Sequence, residues 1–270
     1  MPHIDLEYPK QPYGTVKRYS SRATYCLRTI HTIINTSPIL HVSFNSPSSS
    51  FPAILPMLGQ MGSFARPSAD EGDVLDLYLH GYVSSRMVNS SRQSSSETPG
   101  LPVSVAASHL DGLVLALTPN SHSYNYRSAV LFGHASVVED PDERLYAMEL
   151  ITNGVVPGRW ENSRVPPNQA EMSSTSVLKV RIATGSAKIR EGPPGDERHD
   201  KENDDVVGRV WTGVVPVYQT LGQPVPGPYN RVDNVPGYLN GFVEQSNESA
   251  RELAVETATR TAVKKGDQDE

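Results

Sequence analysis

The chain has 270 residues, of which 37% are hydrophobic and 20% are charged, and its formal net charge is -6. This size fits one globular domain with extended ends, and the mild acidity argues against a nucleic-acid partner, which needs a basic face. The sequence contains neither a run of ~18 apolar residues that could span a membrane nor an apolar signal core, so we expect a cytoplasmic protein. Cys26, which we expect to be buried, is the only cysteine, and this excludes an internal disulfide or a cysteine-based metal cluster.

The start of the chain predicts an N-terminal arm followed by a helix. Residues 1–19 carry prolines among mixed polar residues, which is typical of an arm that wraps a domain or stays disordered. Apolar residues then recur at three- and four-residue spacing, which predicts an amphipathic helix over 20–35 with Ser20 or Ser21 as its cap. We expect His31 to lie partly exposed on this helix rather than to bind a ligand.

Alternating or β-rich apolar runs predict three strands next, over residues 39–44, 51–58 and 74–80. Pro52 and Pro56 interrupt the second of these, so it lies at a sheet edge or its backbone faces a flat ligand. The third strand leads into two hydroxyl side chains and a forked cation, Ser84, Ser85 and Arg86. Such groups can cradle a phosphate, although a solvated loop would use the same residues.

The middle of the chain contains a dense set of polar side chains. Residues 102–117 predict two strands joined by a hairpin turn at Asp111-Gly112. A polar run over 122–128 follows and enters a further strand over 128–138. So many hydrogen-bonding groups directly before a strand are unusual if these residues have only a structural role. We therefore interpret this run as the wall of a binding site.

The second half continues the pattern of strands with few helices. Asp140, Pro141 and Glu143 predict a capped helix start, with the helix running over about 141–152. Two more strands are predicted on either side of a polar linker, over residues 177–190 and 206–218. A loose helix is expected near the C-terminus, between about 243 and 264. About seven strands arranged as hairpins predict a mainly β (α+β) fold, an antiparallel barrel with flanking helices.

Several kinds of active site have no signature in this sequence. There is no G-x-S-x-G elbow for hydrolysis, no H-x-x-x-H or H-E-x-x-H metal spacing, and no nucleotide-binding glycine loop. A phosphorylated aromatic cofactor fits the residues better. Cations and hydroxyls would hold its phosphate, and the proline-interrupted strand would offer backbone groups to the edge of its ring.

Five segments in chain order carry a family resemblance: LYLHGYVSSRM, LDGLVLALTPNSHSYNYRSAVLFG, VPGRWENSR, SAKIREGPP and VWTGVVPV. Together they resemble the FMN-binding split-barrel proteins of the pyridoxamine 5′-phosphate oxidase-like family, in the branch of flavin-nucleotide-binding and nitroimidazole-resistance proteins. The resemblance covers roughly residues 20–225. It implies an antiparallel split β-barrel and a homodimer that binds FMN at its interface.

The resemblance also implies which residues contact the cofactor. The strand-end motif beginning at His80 would hold the flavin phosphate, and the HS-x-NYRS motif would line the cofactor pocket. The full implied set is Pro56, Met57, His80, Ser84, Ser85, Arg86, His122, Ser123, Asn125, Tyr126, Arg127, Ser128, Lys188, Arg190 and Trp211. The arginines could instead be surface residues paired with carboxylates. If a protein group donates a proton, His122 and Tyr126 are the candidates.

The function implied is that of a flavoprotein, an FMN-dependent oxidoreductase acting on a small aromatic, nitro or quinone-like molecule. The alternative is a flavin or haem binding protein, or sensor, without turnover. Oxidation of pyridoxamine phosphate itself is not expected, because the arginine pattern that would hold that substrate is missing near the C-terminus. We expect a domain over 20–225, with an arm before it and a C-terminal extension over 226–270 that is partly helical or disordered.

Overall fold

A computed structural model describes residues 5–46, 49–82, 86–92 and 100–260 of the chain. The chain divides into two compact units. Unit 1 consists of residues 1–108 and 128–188, and unit 2 consists of residues 109–127 and 189–270. Three long strands contribute residues to both units, because each of them crosses a boundary between these ranges.

The described residues form a nine-stranded antiparallel sheet. Its strands are β1 (Ala23–Thr24), β2 (Leu40–Phe44), β3 (Ala53–Met57), β4 (Gly59–Gly62), β5 (Asp76–Tyr82), β6 (Leu101–Leu115), β7 (Ser123–Val137), β8 (Thr175–Arg190) and β9 (Gly213–Pro216). The order across the sheet is β3-β2-β6-β7-β8-β5-β4, while β1 pairs with β8 and β9 pairs with β6. The proline-interrupted β3 therefore lies at a sheet edge, where a missing N–H does the least harm.

The helices of the described residues are mostly short. They are α1 (Leu27–Asn35), α2 (Arg86–Arg92), α3 (Pro141–Val155), α4 (Gln169–Ser174), α5 (Arg198–Lys201), α6 (Asp204–Val207) and α7 (Gly237–Thr259). Single 3₁₀ turns occur over Ser20–Arg22 and Pro119–Ser121. The Asp140 side chain accepts hydrogen bonds from the N–H groups of Asp142 and Glu143, so the predicted start of α3 is confirmed. The predicted class, mainly antiparallel β with flanking helices, is also confirmed.

The core of unit 1 follows from two periodicities. In α1 the residues Ile30, Ile33 and Ile34 are spaced by three and four, and all are buried. In β2 the buried Leu40, Val42 and Phe44 alternate with His41 and Ser43 on the opposite face. Each element thus buries one face, and the other face of the sheet remains available to other groups.

Unit 2 is built around the long helix α7. The Asn247 side chain forms a reciprocal pair with Leu221, accepting from its N–H at 2.6 Å and donating to its carbonyl at 2.9 Å. Near the other end of the helix, the N–H of Gly192 donates to the carbonyl of Thr257 at 2.8 Å. The helix was predicted over about 243–264, whereas α7 begins at Gly237 and ends at Thr259. None of the described helices is long and apolar enough to cross a lipid bilayer.

The hairpin predicted at Asp111-Gly112 is wrong. Both residues lie inside β6, which runs without a turn from Leu101 to Leu115. The ladder between β6 and β9, which pairs Gly112 with Pro216 and Leu113 with Val215, holds this part of the chain extended. A partner strand about 100 residues away thus outweighs the local turn preference of the dipeptide.

The helix predicted over 20–35 is too long at its start. Ala23 and Thr24 form β1, which pairs with Lys188 and Ala187 of β8, so α1 begins only at Leu27. Neither Ser20 nor Ser21 caps it, because both lie in the preceding 3₁₀ turn. Cys26 immediately precedes the helix and is half-buried rather than buried.

The strand predicted over 206–218 is likewise shortened. Residues 204–207 form α6, whose start is capped by the Asn203 side chain accepting from the N–H of Val206 at 3.3 Å. Within the predicted range, only Gly213–Pro216 is a strand.

The start of β7 also differs from the prediction. Most of the polar run over 122–128 belongs to the strand itself, because β7 begins at Ser123 rather than at 128.

The expectation that His31 is partly exposed is also wrong. Its side chain is fully buried, and both ring nitrogens are used. The carbonyl of Glu71 can only accept, so Nδ1 donates to it at 2.8 Å, and Nε2 accepts from the Tyr8 hydroxyl at 2.6 Å. These partners are 40 and 23 residues away, so no local pattern could reveal them.

The buried His31 makes the stability of the protein depend on pH. Burial lowers the pKa of His31 below its ordinary value of 6.5, so in acid the unfolded chain binds a proton that the folded chain does not. The free energy of unfolding should therefore fall as pH drops below 6.5, by at most about 1.4 kcal/mol per pH unit from this group. Urea unfolding between neutral and mildly acidic pH, compared with His31→Gln, measures this contribution. Equal slopes for the two proteins would contradict it.

Candidate functional site

The first group of predicted site residues lies in unit 1, where β3 and β5 end. The N–H of His80 donates to the carbonyl of Leu58 at 2.9 Å, which fixes the end of β5 beside the residues that follow β3. A methyl group built on Gly81 would lie 3.9 Å from the terminal carbon of Met57. The side chains of His80 and Pro56 are exposed. The structure thus brings Pro56, Met57 and His80 to one place.

The residues after β5 are only partly described. Ser84 and Ser85 lie outside the described residues. Arg86 is the first residue of α2, and the adjacent Met87 and Val88 are fully buried. The backbone at Arg86 is therefore attached to the core of unit 1 a few residues after His80.

The second group lies in unit 2 and includes His122. The Nδ1 atom of this exposed side chain accepts a hydrogen bond from the N–H of Ala116 at 2.8 Å. In the neutral ring the proton is consequently on Nε2, which can act as a donor. Ser123 and Tyr126 are half-buried in the first residues of β7.

A closed network joins two further candidates, Asn125 and Arg190. Both are buried, and the Arg190 guanidinium donates to the side-chain oxygen of Asn125 and, at 3.1 Å each, to the carbonyls of Gly192 and Pro193. The Asn125 amide also donates to the carbonyl of Gly192 at 3.2 Å. These contacts hold the turn after β8. A ligand that bound Arg190 would have to share or replace them.

Arg127 forms a two-pronged ion pair within unit 2. Its Nε and Nη2 atoms donate to the two carboxylate oxygens of Asp111 at 2.9 and 2.8 Å. The side chain of Asp111 is 6% exposed and that of Arg127 is 20% exposed. Parallel hydrogen bonds of this kind fix the plane of the guanidinium. No local pattern identifies Asp111 as the partner of Arg127, because the Asp111-Gly112 dipeptide predicts a turn and the two residues lie 16 positions apart.

The remaining candidates lie in different surroundings. In unit 1 the Ser128 hydroxyl donates to the carbonyl of Lys188 at 3.1 Å. The Lys188 ammonium donates to the carbonyl of Arg18 at 2.7 Å and lies 5.5 Å from the centre of the Tyr19 ring, so it fastens the N-terminal arm. In unit 2 the Trp211 side chain is 66% exposed.

A half-buried polar cluster between β5, β8 and α3 was not predicted. The Tyr78 hydroxyl and the Lys179 ammonium both donate to one carboxylate oxygen of Glu143, each at 2.7 Å. Burial and the adjacent Glu143 raise the pKa of Tyr78, and burial raises the pKa of the nearby Asp76. The side chains of Tyr78, Lys179 and Glu143 form their hydrogen bonds with one another, so we assign the cluster to the packing of α3. Among the described residues, no group of three or more possible ligands could hold a metal ion.

Comparison with known proteins supplies a family for this arrangement. A family model described as pyridoxamine 5′-phosphate oxidase matches residues 27–189. The flavocytochrome Anf3 from Azotobacter vinelandii is 28% identical, with 88% of this chain and 99% of that chain covered and a TM-score of 0.71. The FAD and heme binding protein from Mycobacterium smegmatis is 26% identical, with 82% and 97% covered and a TM-score of 0.66. No curated protein matches the chain.

Proposed function

The chain belongs to the pyridoxamine 5′-phosphate oxidase family, and we propose that it is a flavin-binding oxidoreductase. Its family membership confirms the resemblance carried by the five sequence segments and, with it, the antiparallel split-barrel fold. The observation that carries the proposal is the similarity, over more than four fifths of the chain, to a flavocytochrome and to an FAD and heme binding protein. We propose FMN as the flavin, in line with the motifs, and FAD is compared with it in the test below.

The residues at the ends of β3 and β5 fit such a cofactor. The edge strand β3 offers main-chain groups beside the half-buried thioether of Met57, which suits the edge and face of a flat ring. By residue type, Ser84, Ser85 and Arg86, which follow His80 in the sequence, have the hydroxyls and the cation that a phosphate needs. When bound, a flavin supplies the capacity to accept and donate hydride, and the protein binds and orients it. The remaining candidates, from His122 to Ser128 and at Lys188, Arg190 and Trp211, stay predictions from the resemblance.

We expect the purified protein to bind flavin and Arg86→Gln to bind it at least about tenfold more weakly, since a charge-assisted phosphate contact is lost. Titration of the flavin-free protein with FMN and with FAD, followed by flavin fluorescence, measures both affinities. Arg66→Gln is the matched control, because Arg66 is an exposed arginine of unit 1 paired with Asp73.

Failure of both flavins to bind would overturn the proposal. Equal affinities of Arg86→Gln and the unaltered protein would remove Arg86 from the site. If FAD binds much more tightly than FMN, the choice of FMN is wrong while flavin binding stands.

Turnover is the finer part of the proposal, and the substrate class we propose is a small aromatic, nitro or quinone-like molecule. Consumption of NADH or NADPH by the flavin-loaded protein, with menadione or a nitroaromatic compound as acceptor, tests it. A second candidate function, flavin or haem binding without turnover, is favoured by the similarity to a flavocytochrome and to an FAD and heme binding protein. Absence of consumption together with a Soret band after addition of hemin would support this second candidate.

We also propose that the protein is a homodimer with the flavin at its interface, as the resemblance implies. Exposed apolar side chains on and around the edge strand β3 support this, since Phe51, Ile54 and Leu58 are 79%, 64% and 44% exposed. Light scattering coupled to size exclusion gives the mass in solution. A monomer that binds flavin at full affinity would contradict the interface site.

A further inference from the structure

A pocket of about 430 Å³ opens on unit 1, away from the predicted cofactor residues. Three strand segments around Ser43, Ser104 and Phe132 form most of its wall, and Tyr13 of the N-terminal arm forms one side. Binding pockets for small molecules typically span ~300–1,000 Å³, so this one is large enough for a ligand of two or three rings.

The apolar part of the pocket is made of aromatic rings and prolines. The Tyr13 ring meets Phe132 edge to face, with ring centres 5.2 Å apart, and the exposed Pro52 and Pro102 add further apolar surface. The arm is held here because the Thr184 hydroxyl donates to the carbonyl of Pro9 at 2.6 Å. These contacts place the two rings side by side, where they present ring surface to a flat ligand.

The polar part of the pocket consists of four uncharged or weakly basic side chains. They come from Ser43, Asn45, Ser104 and His134. Within the described part of the chain, none of these side chains forms a hydrogen bond to another residue. Donors and acceptors that are left free at the wall of a pocket fix the orientation of a bound molecule.

The lining contains no lysine, arginine, aspartate or glutamate. A phosphate or carboxylate ligand would therefore find no cation, and an ammonium ligand would find no carboxylate. The pocket is also separate from the predicted flavin residues. It lies where Phe44 pairs with Ala53, whereas Met57 pairs with Leu40 at the other end of β3, roughly 13 Å along the strand.

We propose that this pocket binds a neutral, planar aromatic molecule that carries hydrogen-bonding groups at its edge, a class that includes phenols and quinones. The rings of Phe132 and Tyr13 contact its faces and edge, and the free side chains of Ser104, Asn45 and His134 bond to its polar groups. Binding here does not require a flavin, so this inference stands or falls independently of the proposed function.

The test compares two probes with the same ring system on the full chain. Naphthol is neutral near pH 7, whereas naphthyl phosphate adds two negative charges to the same rings. We expect naphthol to bind, as measured by its fluorescence anisotropy, and naphthyl phosphate to bind at least about tenfold more weakly. Tyr13→Ala should weaken naphthol binding by about fivefold or more, and Ala183→Trp, which fills the pocket from an exposed position, should abolish it.

The control is Tyr19→Ala, which removes a second exposed tyrosine of the same arm that does not line the pocket. Its naphthol affinity should equal that of the unaltered protein. Absence of naphthol binding, equal binding of naphthyl phosphate, or full affinity in Tyr13→Ala and Ala183→Trp would each overturn the proposal. A Soret band from added hemin that His134→Ala abolishes would overturn it too, because the pocket would then be a haem site.

Discussion

Replacing Gly133 by alanine is expected to prevent folding or to lower the melting temperature by roughly 10 °C. Gly133 lies inside β7 in unit 1, where a Cβ atom would be only 2.3 Å from the carbonyl oxygen of Arg181 and 2.8 Å from the Val180 side chain. Overpacking a core typically costs about 1–3 kcal/mol, and more when the neighbour is backbone that cannot move aside. A loss of about 3 kcal/mol corresponds to roughly 10 °C for a protein of this size.

Gly195→Ala is the matched control for this substitution. No atom lies within 4 Å of a Cβ at Gly195, so the change should alter the free energy of unfolding by less than about 0.5 kcal/mol. Circular dichroism melts and soluble yields of the two variants measure the contrast. A Gly133→Ala protein that melts within a few degrees of the unaltered protein would show that β7 and β8 can separate at this point.

Removal of the Asp111 carboxylate should destabilise unit 2 at least as strongly. Asp111→Ala leaves the guanidinium of Arg127 largely buried without its carboxylate, and breaking such a pair costs about 3–5 kcal/mol. The double variant Asp111→Leu with Arg127→Met removes both charges and should recover most of that loss, since apolar replacements of a buried pair are often neutral. Urea unfolding of Asp111→Leu, Arg127→Met and the double variant gives the coupling energy between the two residues.

An exposed pair of the same unit provides the comparison. Arg198 and Glu202 are 88% and 60% exposed, so Arg198→Gln should change stability by less than about 1 kcal/mol. If Asp111→Ala were as mild as Arg198→Gln, the Asp111 pair would contribute nothing to stability.

The double variant Asp111→Leu with Arg127→Met also reports on flavin binding. A protein that regains stability but loses flavin would show that Arg127 contacts the cofactor, as the sequence resemblance implies.

The parts of the fold that could be predicted from sequence are those whose causes are local. Helix α3 starts with a capping aspartate and a proline, and β8 alternates its apolar residues, so both are visible within a short window. The prediction of a turn at Asp111-Gly112 is wrong because the ladder to β9 and the ion pair with Arg127 involve distant segments of the chain. The predicted start of α1 is wrong for the same reason, since Ala23 and Thr24 pair with the distant strand β8.

In the candidate site, the sequence reveals which residue types are present but not which partners their side chains contact. The sequence located a dense set of polar groups around Asn125 and Arg127, and these two side chains form hydrogen bonds with other residues of unit 2. It could not show that those bonds go to Gly192 and Asp111, because side-chain direction depends on the register of strands far apart in the chain. The aromatic pocket was missed entirely. Its one available signal was the placement of Phe132 and His134 on the face of β7 opposite the buried Leu131.

The bond between Tyr8 and His31 links attachment of the N-terminal arm to proton uptake. In the neutral ring Nε2 accepts from the Tyr8 hydroxyl, but a proton on Nε2 would end that arrangement and place a charge in a buried site. Lifting the arm exposes Nε2 to water, where the ring takes up a proton more readily. Acid therefore favours the detached arm by mass action. Since Tyr13 of the same arm forms one side of the pocket, we expect acid to weaken that side of the pocket as well.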